Sequence, residues 1–296
     1  MIRILGTIFA GLLGLAFGSF LNVCLSRWPQ GESVVRPRSH CRHCDHTLAW
    51  WENVPVVSWL ALRGRCRICR AWIGWRYPLV ELAVVGLWAL VGWRLLTQIQ
   101  APDIATQFVI GRSYFGFIPA IGTITFLWLL VGIAVLDAEH FWIADAVTMP
   151  GIALGFAFPI FCESLLRTSL REQSELWIRI GERLLEVLAA AGLILLIRWL
   201  YWLVRRREGI GLGDAKLMAL LAAWLGLPGA LLAFGLGIVL GALAAVVLLA
   251  VPSARRDSET WAFSKLPLGT FLCIGGIVSS LWGQPIIATY LRWAGF

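Results

Sequence analysis

Two aspartates stand where long apolar segments of the sequence end or begin. Asp137 closes one apolar run, and Asp214 opens another within the hexapeptide GLGDAK, residues 211–216. Two carboxylates held close together cannot both ionise cheaply, so they share a proton. The ionised carboxylate can then take a proton from a water that attacks a peptide carbonyl, while its neighbour donates one. The pair predicts aspartic-protease chemistry, and neither Asp receives a fixed role because the titration belongs to both.

The residues around Asp214 favour the approach of a substrate backbone. Gly211 and Gly213 carry no side chain directly before the carboxylate, which leaves room for a peptide. Lys216 can bias the protonation of the pair or bind a carboxylate on the substrate. The alternative is structural, because Asp is a common N-cap. We expect that capping role for Asp145, at the start of another apolar segment.

Four cysteines form two closely spaced pairs in a polar segment after the first apolar run. The pairs Cys41-x-x-Cys44 and Cys66-x-x-Cys69 have the two-turn spacing of tetrahedral zinc sites. The segment is too short for a large core, so a structural zinc ion would stabilise it. The alternatives are a reduced loop without metal, a pair of disulfides, or a ligand from one of the nearby histidines, His40, His43 and His46.

The composition indicates a multi-pass membrane protein. The chain has 296 residues, of which 59% are hydrophobic and 14% charged, and its mean hydropathy is +0.79. Soluble domains carry about 25% charged residues, and several runs here reach the roughly 20 apolar residues that cross a bilayer. The formal net charge of +8 does not predict nucleic-acid binding, because basic residues of membrane proteins concentrate in cytoplasmic loops.

We predict an all-α polytopic membrane protein of about eight transmembrane helices. The sixth span is short and is interrupted by Gly226 and Pro228, so seven spans are the alternative. The expected domains are a first transmembrane helix over 1–24, a small cytoplasmic loop domain over 25–78 that binds zinc through its four cysteines, and a transmembrane aspartic peptidase domain over 79–296. The predicted spans lie near 2–24, 79–97, 116–136, 143–163, 184–204, 212–227, 229–251 and 268–290.

Basic residues set the expected orientation. Arginines far outnumber acids in loop 25–78, three more follow the fifth span at 205–207, and Arg255, Arg256 and Lys265 lie before the last span. With the N-terminus outside, all three loops fall in the cytoplasm, as the positive-inside rule demands. The ends of the spans that carry the two aspartates fall at the same face. Loop 164–183, which is also rich in Arg, falls outside and fits this orientation least well.

The order of these features resembles the type IV prepilin peptidases, also called leader peptidases/N-methyltransferases, of the GxGD class of membrane aspartic proteases. The resemblance runs nearly end to end. It departs from the family at Ala144, where the family commonly has Pro, inside the first cysteine pair, which lacks the Pro often seen there, and in segments 97–115 and 164–183, which look longer or less typical. The matching blocks are 18–23 (GSFLNV), 27–29 (RWP), the two cysteine pairs, 52–55 (ENVP), 58–60 (SWL), 63–65 (RGR), 76–82 (RYPLVEL), Asp137, 211–216 (GLGDAK) and 266–269 (LPLG).

The resemblance implies a function in the bacterial inner membrane. Such enzymes cleave type IV prepilins and type II secretion pseudopilins after a Gly at the cytoplasmic membrane face. Many then methylate the new N-terminal residue with S-adenosylmethionine. It implies that Asp137 and Asp214 are catalytic and that methyl transfer occurs near loop 25–78, with no residue assigned. The oligomeric state is not predicted.

Three other functions are weighed against this one. Within the family, a peptidase without methyltransferase activity is the first. A proton-coupled transporter that uses Asp137 and Asp214 as a relay is the second, but it would place its acids near the bilayer midplane, often in repeated halves. A non-enzymatic, zinc-dependent assembly factor is the third.

Overall fold

The computed structural model describes residues 1–99, 110–166, 170–207, 211–250 and 266–295. Within these ranges the chain is helical and contains no β-strand beyond two isolated bridges in the cysteine loop. The helices are α1 Ile2–Arg27, α2 Val57–Ala61, α3 Arg76–Ile99, α4 Ile110–His140, α5 Asp145–Leu166, α6 Leu170–Arg205, α7 Leu212–Ala250 and α8 Leu268–Trp293. All except the short α2 are long and apolar enough to span a bilayer. The predicted all-α membrane fold is confirmed.

The chain divides into two compact units, residues 1–132 and 133–296. In the first unit, α1 packs closely on α3 through small residues. A Cβ atom on Gly18 would lie 2.9 Å from the Cα of Glu81, and one on Gly14 would lie 3.2 Å from the Cα of Val85. Glycines spaced by four residues let two helix backbones approach in this way.

Helix α6 begins well before the span predicted for it. The sequence places loop 164–183 before the fifth span, yet α6 already begins at Leu170. Charged residues at helical spacing continue the helix beyond its apolar part, as Arg183 and Glu186 show with their ion pair of 3.4 Å. The bounds of that loop were therefore wrong. Arg167 and the basic segment around Arg255, Arg256 and Lys265 lie outside the described residues.

Helix α7 contains a break at Gly226, whose backbone angles are φ 73° and ψ 171°. Beyond the break, the second arm of α7 packs antiparallel to α8. Near the break, the Ser279 hydroxyl donates to the carbonyl of Gly229 at 2.8 Å. Further along, a Cβ atom on Gly241 would lie 3.4 Å from the Phe271 ring. The second arm of α7 therefore runs back toward the start of α8.

The first arm of α7 also begins beside the start of α8. Cβ atoms on Gly213 and on Gly269 would each lie within 3.2 Å of the side chain of Ile143. Since both ends of α7 lie near the N-terminus of α8, the chain reverses direction at Gly226. The predicted spans 212–227 and 229–251 are thus the two arms of one broken helix, where a positive φ favours Gly.

The first arm of α7 is the most buried helix segment of the second unit. Leu217, Met218, Leu220 and Leu221 have no exposed side-chain surface. An arm packed on all sides cannot rotate or shift without disrupting its neighbours. The arm therefore holds the backbone of Asp214 in a fixed position.

Candidate active site, thiol cluster and polar cavity

Asp137 lies near the C-terminal end of α4 and is only 6% exposed. Its Oδ2 accepts a hydrogen bond from the backbone N–H of Thr270 at 2.7 Å. The Thr270 hydroxyl lies 3.2 Å from the same oxygen. A burial this deep requires polar partners for the carboxylate, and the first turn of α8 supplies them.

Asp214 is the third residue of α7 and is half-buried. Its Oδ2 accepts a hydrogen bond from the backbone N–H of Gly211 at 3.1 Å. This contact is half of a capping box, in which an acid in the first helical turn reaches back to the residue before the helix. Asp214 therefore helps to cap the start of α7, and its hydrogen bond with Gly211 holds the carboxylate there.

The structure brings the two aspartates together around Ile143. A Cβ atom on Gly213 would lie 3.2 Å from the Cβ of Ile143, and one on Gly269 would lie 3.1 Å from its Cδ1. The same Cβ atom on Gly269 would lie 2.9 Å from Oδ2 of Asp137. The two carboxylates are close enough to interact electrostatically. Glycines at both positions therefore allow two helix starts to close around the pair.

Lys216 contacts a different acid from the predicted pair. Its Nζ lies 2.6 Å from Oδ1 of Asp145, the first residue of α5. This ion pair joins the first turns of α5 and α7. Asp145 is thus at the helix start where the sequence placed it, with its side chain engaged by Lys216.

Sequence reasoning missed three residues of this site, namely Ile143, Gly269 and Thr270. Gly269 lies in a recognised block, but the block carries no sign of the carboxylate that it faces. Thr270 and Ile143 belong to no motif. Only the packing of α8 and of the segment before α5 reveals their roles.

The four cysteines predicted as metal ligands form one cluster. Their Sγ atoms all lie within 4.8 Å of one another, with 3.7 Å between Cys41 and Cys69 and 4.0 Å between Cys44 and Cys66. A tetrahedral site with Zn–S bonds of about 2.3 Å has sulfur–sulfur edges of about 3.8 Å. The cluster therefore fits a metal ion of this kind.

The two cysteine pairs have the same backbone design. The N–H of Asp45 donates to the carbonyl of Cys41 at 2.9 Å, and the N–H of Arg70 donates to the carbonyl of Cys66 at 3.1 Å. Asp45 and Arg70 both adopt a positive φ, 53° and 59°. Each pair is thus a tight turn, and such turns aim both thiols of a C-x-x-C pair at one point.

The thiols of the cluster compete for charge. The backbone N–H of Cys69, followed by that of Ile68, lowers the pKa of Cys66 to about 6. At Cys44 the strongest influence is the backbone N–H of His46, which lowers the pKa, but burial and the neighbouring thiols together raise it to about 12. Without a metal, the charge is therefore favoured at Cys66 and disfavoured at Cys44, and a bound cation would stabilise thiolate at the ligating sulfurs.

Two of the alternatives for this loop find no support in the structure. All seven cysteines are free, and the cluster's sulfur distances far exceed the S–S bond length of about 2.05 Å. His46 directs its Nε2 at Glu52, at 3.4 Å. Among the described residues, the thiol cluster includes no histidine.

Glu52 connects the parts of the cysteine loop. Its Oε2 accepts the backbone N–H of Ala49 at 2.7 Å, and its Oε1 pairs with Nε of Arg67 at 3.0 Å. The N–H of Ala49, with the charges of Arg67 and His46, holds the pKa of Glu52 below its usual value. Because Arg67 follows Cys66 directly, Glu52 ties the second cysteine pair to the middle of the loop.

The first unit also contains a cavity of about 620 Å³, lined by the cysteine loop and by residues of α1 and α3. Buried polar groups face it. Oε2 of Glu81 accepts the N–H of Val56 at 2.7 Å, and Nδ2 of Asn22 donates to the carbonyl of Tyr77 at 2.9 Å. Oδ1 of Asn22 is buried without a hydrogen-bond partner. A cavity of this volume with a few convergent polar groups is typical of a small-molecule site.

The chain also matches known protein families. Residues 12–95 match the bacterial peptidase A24 N-terminal domain, and residues 124–246 match the type IV leader peptidase family. The helical fold and these two matches define a membrane peptidase. The chain belongs to the type IV leader peptidase family.

Curated relatives agree with this assignment. Three proteins named prepilin leader peptidase/N-methyltransferase are similar to the chain. The one from Stutzerimonas stutzeri is 35% identical over 96% of this chain and 93% of its own length. The one from Pseudomonas aeruginosa is 32% identical over 96% and 93%, and the one from Myxococcus xanthus is 37% identical over 88% and 68%. No solved structure matches the chain. Nothing in these comparisons supports the transporter alternative.

Proposed function

We propose that this chain is a prepilin leader peptidase and N-methyltransferase, with Asp137 and Asp214 as its catalytic pair. The observation that carries the proposal is the meeting of these carboxylates from the C-terminal end of α4 and the N-terminal end of α7, around Ile143. The proposed substrates are prepilins, as the names of the relatives indicate, and also pseudopilins, as the resemblance to the family implies.

The carboxylate pair cleaves the peptide bond through a shared proton. One Asp, ionised, accepts a proton from the water that attacks the scissile carbonyl. The other, protonated, donates first toward the developing oxyanion and then to the leaving amine. Gly211, where a Cβ atom would lie 3.5 Å from Oδ2 of Asp214, leaves the backbone of the substrate free to reach this carboxylate, while Gly213 lets Ile143 pack beside it. The ion pair between Lys216 and Asp145 holds the starts of α5 and α7 in register for this approach.

The cavity of the first unit is the proposed site of methyl transfer. S-adenosylmethionine supplies the methyl group when bound. The residues that line the cavity would hold the new N-terminus beside this donor, and an acceptor among them would take the proton that the amine loses. Asn22 Oδ1, buried without a partner, and the Glu81 carboxylate offer acceptors that can orient such an amine.

The thiol cluster is proposed to hold one structural zinc ion through Cys41, Cys44, Cys66 and Cys69. The sulfur distances fit tetrahedral thiolate coordination. With no open position at a four-thiolate centre, the ion would stabilise the loop and would not take part in hydrolysis.

The proposed location is the bacterial inner membrane, with the aspartates at the cytoplasmic face. Arg205, Arg206 and Arg207 follow the membrane-spanning part of α6, where the positive-inside rule places cytoplasmic residues. A single added cysteine at Gly181 or at Arg207, in a background that keeps only the four cysteines of the cluster, tests this with an impermeant thiol reagent on intact cells, with the background protein as the control. We expect labelling at 181 and not at 207, and the reverse pattern would place the aspartates outside.

Mass spectrometry of a prepilin tests both activities at once. Membranes that contain the enzyme should shorten the prepilin by its leader, and added S-adenosylmethionine should increase the mass of the product by one methyl group. Cleavage without the added mass would leave a peptidase that lacks methyltransferase activity. An unshortened prepilin would contradict the proposed function.

A further inference from the structure

Thr270 lies in the first turn of α8 and contacts the carboxylate of Asp137. Pro267 precedes this helix, and Thr270 is its third residue. The first four N–H groups of an α-helix have no partner within the helix. The N–H of Thr270 is therefore free to donate to Oδ2 of Asp137, at 2.7 Å, and the positive end of the helix dipole favours a carboxylate there.

The Thr270 hydroxyl contacts the same oxygen and a second acceptor. Its Oγ1 lies 3.2 Å from Oδ2 of Asp137 and 3.0 Å from the carbonyl oxygen of Ala134. A hydroxyl has one proton and two lone pairs. With one proton, the hydroxyl donates to one of these two acceptors at a time, whereas the backbone N–H of Thr270 donates to Oδ2 throughout.

The two contacts make the oxygens of Asp137 unequal. Oδ2 lies within hydrogen-bond distance of both donors of Thr270, and a proton placed on Oδ2 would compete with them. Because both contacts of Thr270 with Asp137 go to Oδ2, Oδ1 is the oxygen that Thr270 leaves free. A Cβ atom on Gly269 would intrude within 2.9 Å of Oδ2, so the glycine before Thr270 makes this approach possible.

We propose that Thr270 is a positioning residue of the peptidase. It fixes Oδ2 of Asp137 as a hydrogen-bond acceptor, so that the proton shared with Asp214 is exchanged at Oδ1. This inference rests on the proposed function of the aspartate pair. It predicts a contribution to turnover, because the orientation of the carboxylate matters most while the proton is in transfer.

Three variants test the role of the hydroxyl. Thr270→Val keeps the branched shape and the backbone N–H but removes the hydroxyl, and it should lower kcat for prepilin cleavage about tenfold with KM nearly unchanged. Thr270→Ser restores the hydroxyl and should recover most of the loss. Thr289→Val is the matched control on the same helix, since its hydroxyl bonds only to the backbone carbonyl of Pro285, and it should cleave like the wild type.

Each contrary result identifies which idea fails. A wild-type kcat in Thr270→Val, a Thr270→Ser variant as slow as Thr270→Val, or a loss confined to KM would overturn the positioning role. Amounts of folded enzyme in the membrane, measured for all variants, separate slow turnover from poor folding. Asp137→Asn belongs in the same series. If it cleaves normally the catalytic pair itself is wrong, whereas an inactive Asp137→Asn beside a fully active Thr270→Val removes only the inference about Thr270.

Discussion

The thiol cluster and the aspartate pair hold reactive groups together by different means. The cysteines come from two tight turns of one segment, 41–69, and each turn closes on its own backbone hydrogen bonds. The aspartates come from the ends of two long helices and depend on a third helix, α8, for the partner of Asp137. The cluster is thus local structure that a metal would complete, whereas the pair is a product of helix packing. Damage to the two sites should therefore have different consequences.

Damage to the packing around the pair should affect chemistry most. Gly269→Ala places a methyl group 2.9 Å from Oδ2 of Asp137 and 3.1 Å from Ile143, which must displace the carboxylate. We expect a loss of about 100-fold in kcat/KM for leader cleavage, the typical cost of a misplacement near 1 Å. Gly235→Ala is the control, because a Cβ atom there meets nothing within 4 Å. Equal activity of the two variants would show that the start of α8 does not set the position of Asp137.

Damage to the thiol cluster should affect metal content and the local fold. Cys66→Ser removes one of four ligands, so zinc in the purified protein should fall from about one ion per chain to a small fraction. Limited proteolysis between residues 41 and 69 should become faster. Cys162→Ser, outside the cluster, should keep its metal. Wild-type protein that contains no zinc after purification without chelators would remove the metal assignment.

A smaller effect is expected at Glu52, which acts on the loop without being a metal ligand. Glu52→Gln weakens the hydrogen bond from Ala49 and the ion pair with Arg67, and we expect a loss of about 2 kcal/mol in the local stability of the loop. Hydrogen exchange of loop amides measures this loss. The exposed Glu32 supplies the control, Glu32→Gln, which should exchange like the wild type.

The pH dependence of the Glu52 effect has a definite sign. The pKa of Glu52 is lowered in the folded loop, so its contribution is fully present above the unfolded value of about 4.3 and disappears as pH falls through the folded value. The difference between wild type and Glu52→Gln should therefore be large at neutral pH and vanish in acid. Both proteins carry the same thiols, so this difference isolates the carboxylate. A difference that grew toward acid would contradict the assigned interactions.

The sequence predicts the parts of this molecule that depend on local pattern. Apolar runs of sufficient length predicted the membrane-spanning helices, and the break in α7 was expected from Gly226 and Pro228. The C-x-x-C pairs predicted which thiols would meet, because each pair is one turn. Asp137 and Asp214 were selected because charge at the edge of a span is costly and therefore informative.

Contacts between distant helices could not be predicted in this way. Nothing near Thr270 in the sequence indicates a carboxylate at 2.7 Å, since that carboxylate lies on α4. Lys216 pairs with Asp145 because α5 and α7 start side by side, and that geometry follows from the packing of whole helices. The bounds of the charged end of α6 were missed because a hydropathy pattern stops where the apolar residues stop, although the helix continues.

The pair of substitutions Asp137→Asn and Asp214→Asn tests the central claim most directly. Each variant is mixed with a prepilin and the product is weighed by mass spectrometry, with Glu139→Gln, an exposed acid two residues from Asp137, as the control. Because a neutral amide cannot exchange the shared proton, we predict that both Asn variants insert normally and leave the prepilin at full length, while Glu139→Gln removes the leader. Normal cleavage by either Asn variant would contradict the account of the catalytic pair.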